Sequence, residues 1–253
     1  MGHTNGLVAL STGLDVELVW LHEILAEVEA LVVREGSGIE KIEDLRGKTV
    51  ATVFASTSHY SLLSTLREAG IEDEVTLLDM QTPDIVAAWQ RGDVDAAYTW
   101  QPSLGELMKE GKVLITSREV AERGNITANI LMARKSFAHA HPEHVVTLLS
   151  CLRQAGDLYR QTPESAADYL KEELVLPKEE LLFQMSGSRW LTPEEEISAP
   201  ILGTEAEPGD FVQTLKDTAD FLNQYHYIEI VLSYDEIEKY VNSSYIETML
   251  LGE

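Results

Sequence analysis

Between residues 48 and 134 short β-rich runs alternate with amphipathic helical runs, and each is punctuated by Gly or Pro, which points to a mostly parallel sheet flanked by helices. Lys48–Val53 reads as a strand, Leu62, Leu63 and Leu66 then fall on one helical face that ends at Gly70, and Val75–Leu78 is the next strand. A second unit follows. Pro83 opens a helix with Ile85, Val86 and Trp89 facing inward and Gly92 as its stop, after which Asp95–Trp100 reads as a strand. Pro102 starts a helix closed by Gly111, Val113–Thr116 is a short strand, and the apolar run Ile126–Ala133 suits a buried or crossing strand.

The flanks read differently. Upstream, Gly6–Ser11 is helical, Glu17–Leu21 and Glu29–Arg34 are strands, and Glu35–Glu40 is a loop. Downstream the chain turns almost wholly helical: Pro142, Pro163 and Pro177 stand where helices begin, and two more helices are expected near Phe211–Asn223 and Tyr234–Leu250. With 253 residues the chain can form one large domain or two small α/β lobes, and no repeat, low-complexity tract or linker separates independent parts.

Charge narrows the partners. Lys and Arg number 19 against 43 Asp and Glu, a formal charge of −24 that repels nucleic acid phosphates and anionic headgroups, so neither nucleic acid nor direct membrane insertion is expected. The excess lies in pairs such as Glu172–Glu173 and Glu179–Glu180, which read as solvated helix faces. No apolar run is long enough to span a bilayer, and the opening MGHTNGLVAL carries neither the basic leader nor the apolar core of a secretory signal. Cys151 is the single cysteine; it sits among Val145, Leu148, Leu149 and Leu152 and is expected to be a core thiol, which rules out an internal disulfide and a cysteine metal cluster.

Several short runs could carry chemistry. Ala55-Ser56-Thr57-Ser58-His59-Tyr60 lies between a strand and a helix, where hydroxyls and unpaired N–H groups gather at the positive end of a helix dipole; an anion site and plain N-capping both fit. Thr4 and Asn5, before the first helix, offer a second set of donors under the same two readings. Trp100 ends a strand, where an open α/β sheet presents residues to a cleft, although core packing accounts for it equally well; Trp89, on an apolar helix face, reads as core. His139, His141 and His144 with Glu143 raise metal binding, but Pro142 and Glu143 are better explained as helix initiation, and no metal is expected. The chain contains no G-x-S-x-G, H-E-x-x-H, phosphate loop or G-x-G-x-x-G.

The ordered set Glu29-Ala30-Leu31-Val32-Val33, Glu43-Asp44-Leu45-Arg46-Gly47-Lys48, Ser56-Thr57-Ser58-His59-Tyr60-Ser61-Leu62-Leu63 and Ala87-Ala88-Trp89-Gln90-Arg91-Gly92-Asp93-Val94-Asp95-Ala96-Ala97-Tyr98 resembles the periplasmic taurine-binding protein family. Trp100, Gly111-Lys112-Val113-Leu114, Arg134-Lys135-Ser136-Phe137 and His141-Pro142-Glu143 extend the match. The likeness is dense from about residue 6 to 145 and looser beyond. It implies a type II periplasmic-binding-protein fold, two α/β lobes joined by two crossing strands, with residues 36–128 in one lobe and residues 1–35 plus 129–253 in the other. It implies a small sulfonate held between the lobes by Ser56, Thr57, Ser58 and His59, with Glu29 and Trp100 near the amine end of a taurine-like ligand. An ABC permease would be the partner, the location periplasmic or at the cell surface, and neither cofactor nor catalysis is expected.

Two departures stand out against the family. Its chains begin well upstream of this Met1, so the first lobe is expected to be N-terminally incomplete. Where its taurine binders have an Asp beside the ammonium group, this chain has Asn129, one charge fewer. The competing readings are an enzyme resembling the thiamine-pyrimidine precursor synthases, which calls for a pyridoxal-anchoring Lys and grouped Cys residues, and a regulator's sensing domain, which calls for a helix-turn-helix and a basic surface.

Overall fold

Eight strands are found among the described residues, 1–252, of the computed structural model: β1 (Val16–Leu25), β2 (Glu29–Arg34), β3 (Thr49–Thr52), β4 (Thr76–Asp79), β5 (Ala96–Trp100), β6 (Gly111–Thr116), β7 (Ala128–Arg134) and β8 (Ser188–Arg189). The chain divides into two units, Met1–Ile24 with Ala128–Glu253, and Leu25–Thr127. The expected break after residue 35 falls instead after residue 24. The reason is strand pairing: β2 sits inside the sheet of the Leu25–Thr127 unit, bonded to β5 on one side and β6 on the other.

That sheet has the order β4-β3-β5-β2-β6. β3 runs parallel to β4 and β5, whereas β2 is antiparallel to both its neighbours, so the sheet is mixed where a mostly parallel one was expected. Alternation sorts its side chains onto two buried faces. Leu31, Val33, Val50, Ala96 and Tyr98 pack with Leu62 and Leu66 of the helix Thr57–Glu68; Ala30, Val32, Ala51 and Ala97 pack with Ile85, Ala88 and Trp89 of the helix Thr82–Arg91 and with Leu104 and Leu107. Each fully buried leucine contributes about 1.5–3 kcal/mol. Gly111 allows the second face to close, because a Cβ there would lie 2.6 Å from Val32 Cγ1 and 2.9 Å from Trp89. The helix Thr82–Arg91 stops at Gly92, which takes the left-handed conformation (φ 81°) that a side chain disfavours.

In the other unit the sheet has the order β7-β1-β8. β1 runs to Leu25, beyond the expected end at Leu21, and its antiparallel register with β7 slips twice, leaving Val19 and His22 as extra residues opposite β7. Helices begin at Pro142 and Pro163 as expected, and one follows Pro177. The helix Pro142–Gln161 buries Val145, Leu149 and Gly156; Cys151, two residues and about 200° beyond Leu149, is exposed and not a core thiol. The helix expected over Tyr234–Leu250 is two, Tyr234–Glu238 and Ser244–Leu251. Between them the backbone bonds to β1 instead of to itself: Leu18 N–H donates to Tyr240 O (2.7 Å) and Asn242 N–H to Leu18 O (2.8 Å).

Candidate functional site

In the Leu25–Thr127 unit, the carboxyl end of β3 turns into the helix Thr57–Glu68 beside the carboxyl end of the parallel β5, the place where open α/β sheets bind ligands. Ala55 takes a positive φ of 59° in that turn. Ser56 is the N-cap: its hydroxyl accepts from His59 N–H (3.2 Å) and donates to Val53 O (2.6 Å). The neighbouring hydroxyls point inward. Thr57 Oγ1 and Ser58 Oγ donate to Glu29 Oε2 at 2.6 and 2.8 Å, while Ser117 Oγ donates to Oε1 at 2.7 Å and Thr127 Oγ1 to the same oxygen at 3.5 Å. Since the Ser117 proton is used on Glu29, Ser117 accepts from Tyr98 OH, 3.0 Å away.

Glu29 is fully buried, so it serves as the anchor of this hydroxyl cage and not as a surface group facing an amine. Burial raises its pKa, and the bonds from Thr57, Ser117, Ser58 and Thr127 oppose that rise. His59, 1% exposed, stacks on Phe54 with centroids 4.5 Å apart and accepts from Ala55 N–H at 3.3 Å. Burial lowers its pKa to about 4, against the charge of Asp79, so the ring is neutral at pH 7. What remains for an anion at this helix start is the backbone: the N–H groups of Thr57 and Ser58 precede any intrahelical acceptor, at the positive end of the dipole. Trp100 is half-buried and opposite Glu29 in the β2–β5 register; Trp89 is core, with the Arg34 guanidinium 4.5 Å over its ring.

In the other unit the helix His3–Ser11 carries the remaining candidates. His3 is fully buried. Thr218 donates its hydroxyl proton to Thr214 O (2.8 Å), His3 Nε2 lies 3.2 Å from Thr218 Oγ1, and His3 Nδ1 lies 3.3 Å from both the N–H and the carbonyl oxygen of Ala128. Its pKa is lowered to about 4, chiefly by burial, so the ring is neutral at pH 7. Thr4 is fully buried with its hydroxyl unpartnered among the described residues, and Asn5 is exposed.

Asn129 Nδ2 donates to Glu23 Oε1 (2.8 Å), its cross-strand partner in the β1–β7 register. Nearby, the half-buried Trp190 lies against His22 (4.5 Å) and is stacked on Tyr159 (4.3 Å, 5°). Sequence reasoning missed Glu23, His22, Tyr159 and Trp190. The available signal was the adjacent polar pair His22-Glu23, which breaks the apolar run of the strand. The histidine cluster divides: exposed His141 and His144 lie 3.8 and 3.9 Å from Glu143, whereas His139 lies 3.7 Å from Glu17.

A protein-family model described as NMT1/THI5 like matches residues 3–166. The taurine-binding periplasmic protein of Escherichia coli K12 is 34% identical over 255 residues, which cover 98% of this chain and 76% of that protein. Among solved structures, the periplasmic aliphatic sulphonate binding protein SsuA from Escherichia coli superposes with a TM-score of 0.76 at 21% identity, over 93% of this chain and 73% of that one. The desulfurization enzyme DSZB does so with a TM-score of 0.69 at 17% identity, over 99% and 84%. Both structural likenesses speak for the fold alone, and binding proteins and an enzyme share it. No helix among the described residues is long and apolar enough to cross a membrane.

Proposed function

This chain belongs to the NMT1/THI5-like family and has the type II periplasmic-binding-protein fold, and on that premise we propose that it is the ligand-binding component of an ABC importer for taurine or a related small sulfonate. The observation that carries the reading is the helix start after β3. Its N–H groups at Thr57 and Ser58, without an acceptor among the described residues, suit a compact anion, and the hydroxyls beside them are tied to Glu29, which stiffens the turn. Capture and release by such a site need no covalent step. Supporting the same reading, His59 is neutral and packed, Glu29 is enclosed, and the single thiol, Cys151, lies on a helix of the other unit. Delivery to a membrane permease from outside the cytoplasm is part of the proposal.

Isothermal titration with taurine and ethanesulfonate tests it: saturable binding without release of sulfite is expected. Folded protein that binds neither would sink the reading, and sulfite release would replace it with an enzyme of the same fold. Thr57→Val separates backbone from hydroxyl recognition. It should lower stability by about 1–2 kcal/mol, the scale of one buried bond to a carboxylate, yet leave sulfonate affinity within roughly threefold. A large loss of affinity at unchanged stability would show that the Thr57 hydroxyl faces the ligand.

A further inference from the structure

The helices Lys135–Ala140 and Pro142–Gln161 meet at His141, and the first turn of the second carries Glu143 and His144. Helix initiation accounts for Pro142 and for an acid at the positive end of the dipole, but not for two imidazoles that converge on that acid. His141 Nδ1 lies 3.8 Å and His144 Nδ1 3.9 Å from the same oxygen, Glu143 Oε1, and the three ligand atoms fall within 4.8 Å of one another. Among the described residues this is the one group of His, Cys, Asp or Glu side chains spaced to hold a metal ion. The rings are packed together. Phe137 lies 5.3 Å from the His141 imidazole and is stacked at 6.4 Å on that of His144, and the two imidazoles are stacked at 5.3 Å. The backbone is held as well, since His141 N–H donates to Phe137 O (2.8 Å) and His144 N–H to His141 O (3.0 Å). His139, the remaining histidine of the run, stands apart, 3.7 Å from the buried Glu17.

We propose that His141, Glu143 and His144 form a surface site for a divalent transition-metal ion such as zinc, each side chain giving one ligand atom and water completing the shell. Bonds of about 2.0–2.2 Å from zinc to nitrogen or oxygen place neighbouring ligand atoms of a tetrahedral ion about 3.4 Å apart. The two histidine–glutamate spacings exceed that by about half an ångström, which small rotations of exposed side chains remove without moving the helix. The side chains are 48%, 65% and 63% exposed in chain order, so an ion reaches them directly from solution. The formal charge of −24 draws any divalent cation toward the surface, and the two imidazole nitrogens make the choice among them: they suit zinc, copper and nickel, whereas magnesium and calcium take oxygen shells. A bound ion ties His141, at the joint between the two helices, to the first turn of the longer one, so its role is structural. The site is independent of the sulfonate reading, because none of its residues belongs to the helix start after β3.

Isothermal titration of the full chain with zinc chloride tests the site, with the wild type set against His139→Gln and the double variant His141→Gln/His144→Gln. The wild type should bind one zinc ion per chain saturably. The double variant should bind at least about tenfold more weakly, and His139→Gln should stay within about twofold of the wild type. Zinc should also raise the melting temperature of the wild type and leave that of the double variant unchanged. Excess magnesium should not displace the ion. Displacement by magnesium, or equal zinc binding by the wild type and the double variant, would trace the effect to the acidic surface at large and overturn the assignment. Absence of saturable binding to the folded wild type, or a loss seen only in His139→Gln, would overturn it too. Should the double variant not fold, the single exposed change Glu143→Gln serves instead: weaker zinc binding with metal-free stability unchanged supports the site, and unchanged binding refutes it.

Discussion

Acidification from pH 6.5 to pH 4 is expected to remove up to about 3 kcal/mol of stability through His3 and a similar amount through His59. Both rings are buried and neutral in the fold, with pKa values lowered from 6.5 to about 4 mainly by burial. In that interval the unfolded chain takes up protons that the folded chain refuses. The stability these groups contribute is therefore present above pH 6.5 and lost as the pH falls through about 4. Glu29 and Glu196, whose pKa values are raised by burial, act with the opposite sign: their contribution is full in acid and fades as the pH rises. The net curve mixes both kinds of group, so the measurement is a difference. Urea unfolding of the wild type, His3→Gln and His59→Gln at pH 7.5 and pH 4.5 should show each variant losing about 2–3 kcal/mol less on acidification than the wild type. Parallel curves would mean that neither ring stays neutral in the fold.

Replacing Glu29 by Leu should cost about 3–5 kcal/mol. The acceptors for Thr57, Ser58 and Ser117 disappear together, and those hydroxyls are sealed from water, Ser58 and Ser117 fully and Thr57 to within 6%. Leucine would fill much of the volume, which keeps the loss from being larger. Glu29→Gln retains one oxygen and the shape, so it should cost only about 1–2 kcal/mol. Its penalty should also shrink as the pH rises above 4.5, because the wild-type carboxyl is the group whose folded form resists ionisation. Chemical denaturation of the three proteins at two pH values decides the matter. A Leu variant as stable as the wild type would show that the cage does not hold the start of the helix.

Much of the fold was legible in the sequence because its signals are local. Pro142 and Pro163 open helices, Gly92 closes one in the left-handed conformation, and Glu29–Arg34 is a strand with the expected bounds. Each depends on φ preferences or side-chain periodicity within one turn or one strand. Cys151 lay at the limit of that reading: periodicity found the helix, but the buried face runs through Val145 and Leu149 and leaves the thiol outside.

The cluster Ser56, Thr57, Ser58 shows where local reading stops. Its residue types announced a helix start able to meet an anion, and cap and anion site were both compatible with them. What the hydroxyls do was decided by Glu29, Ser117 and Thr127; Thr57, Ser117 and Thr127 stand 28, 88 and 98 residues from the acid they share. The same holds for strand direction, since β2 looks identical in sequence whether it runs parallel or antiparallel to β5. Glu23 and Asn129 are 106 residues apart and meet only because β1 and β7 pair in one register with a bulge at His22. Sequence determined where the helices at Pro142 and Pro163 begin and where the one before Gly92 ends, because backbone preference acts within a few residues. Which polar groups meet was decided by the tertiary structure, because a buried donor or acceptor takes whatever partner the packed sheet brings within about 3 Å, from any distance along the chain.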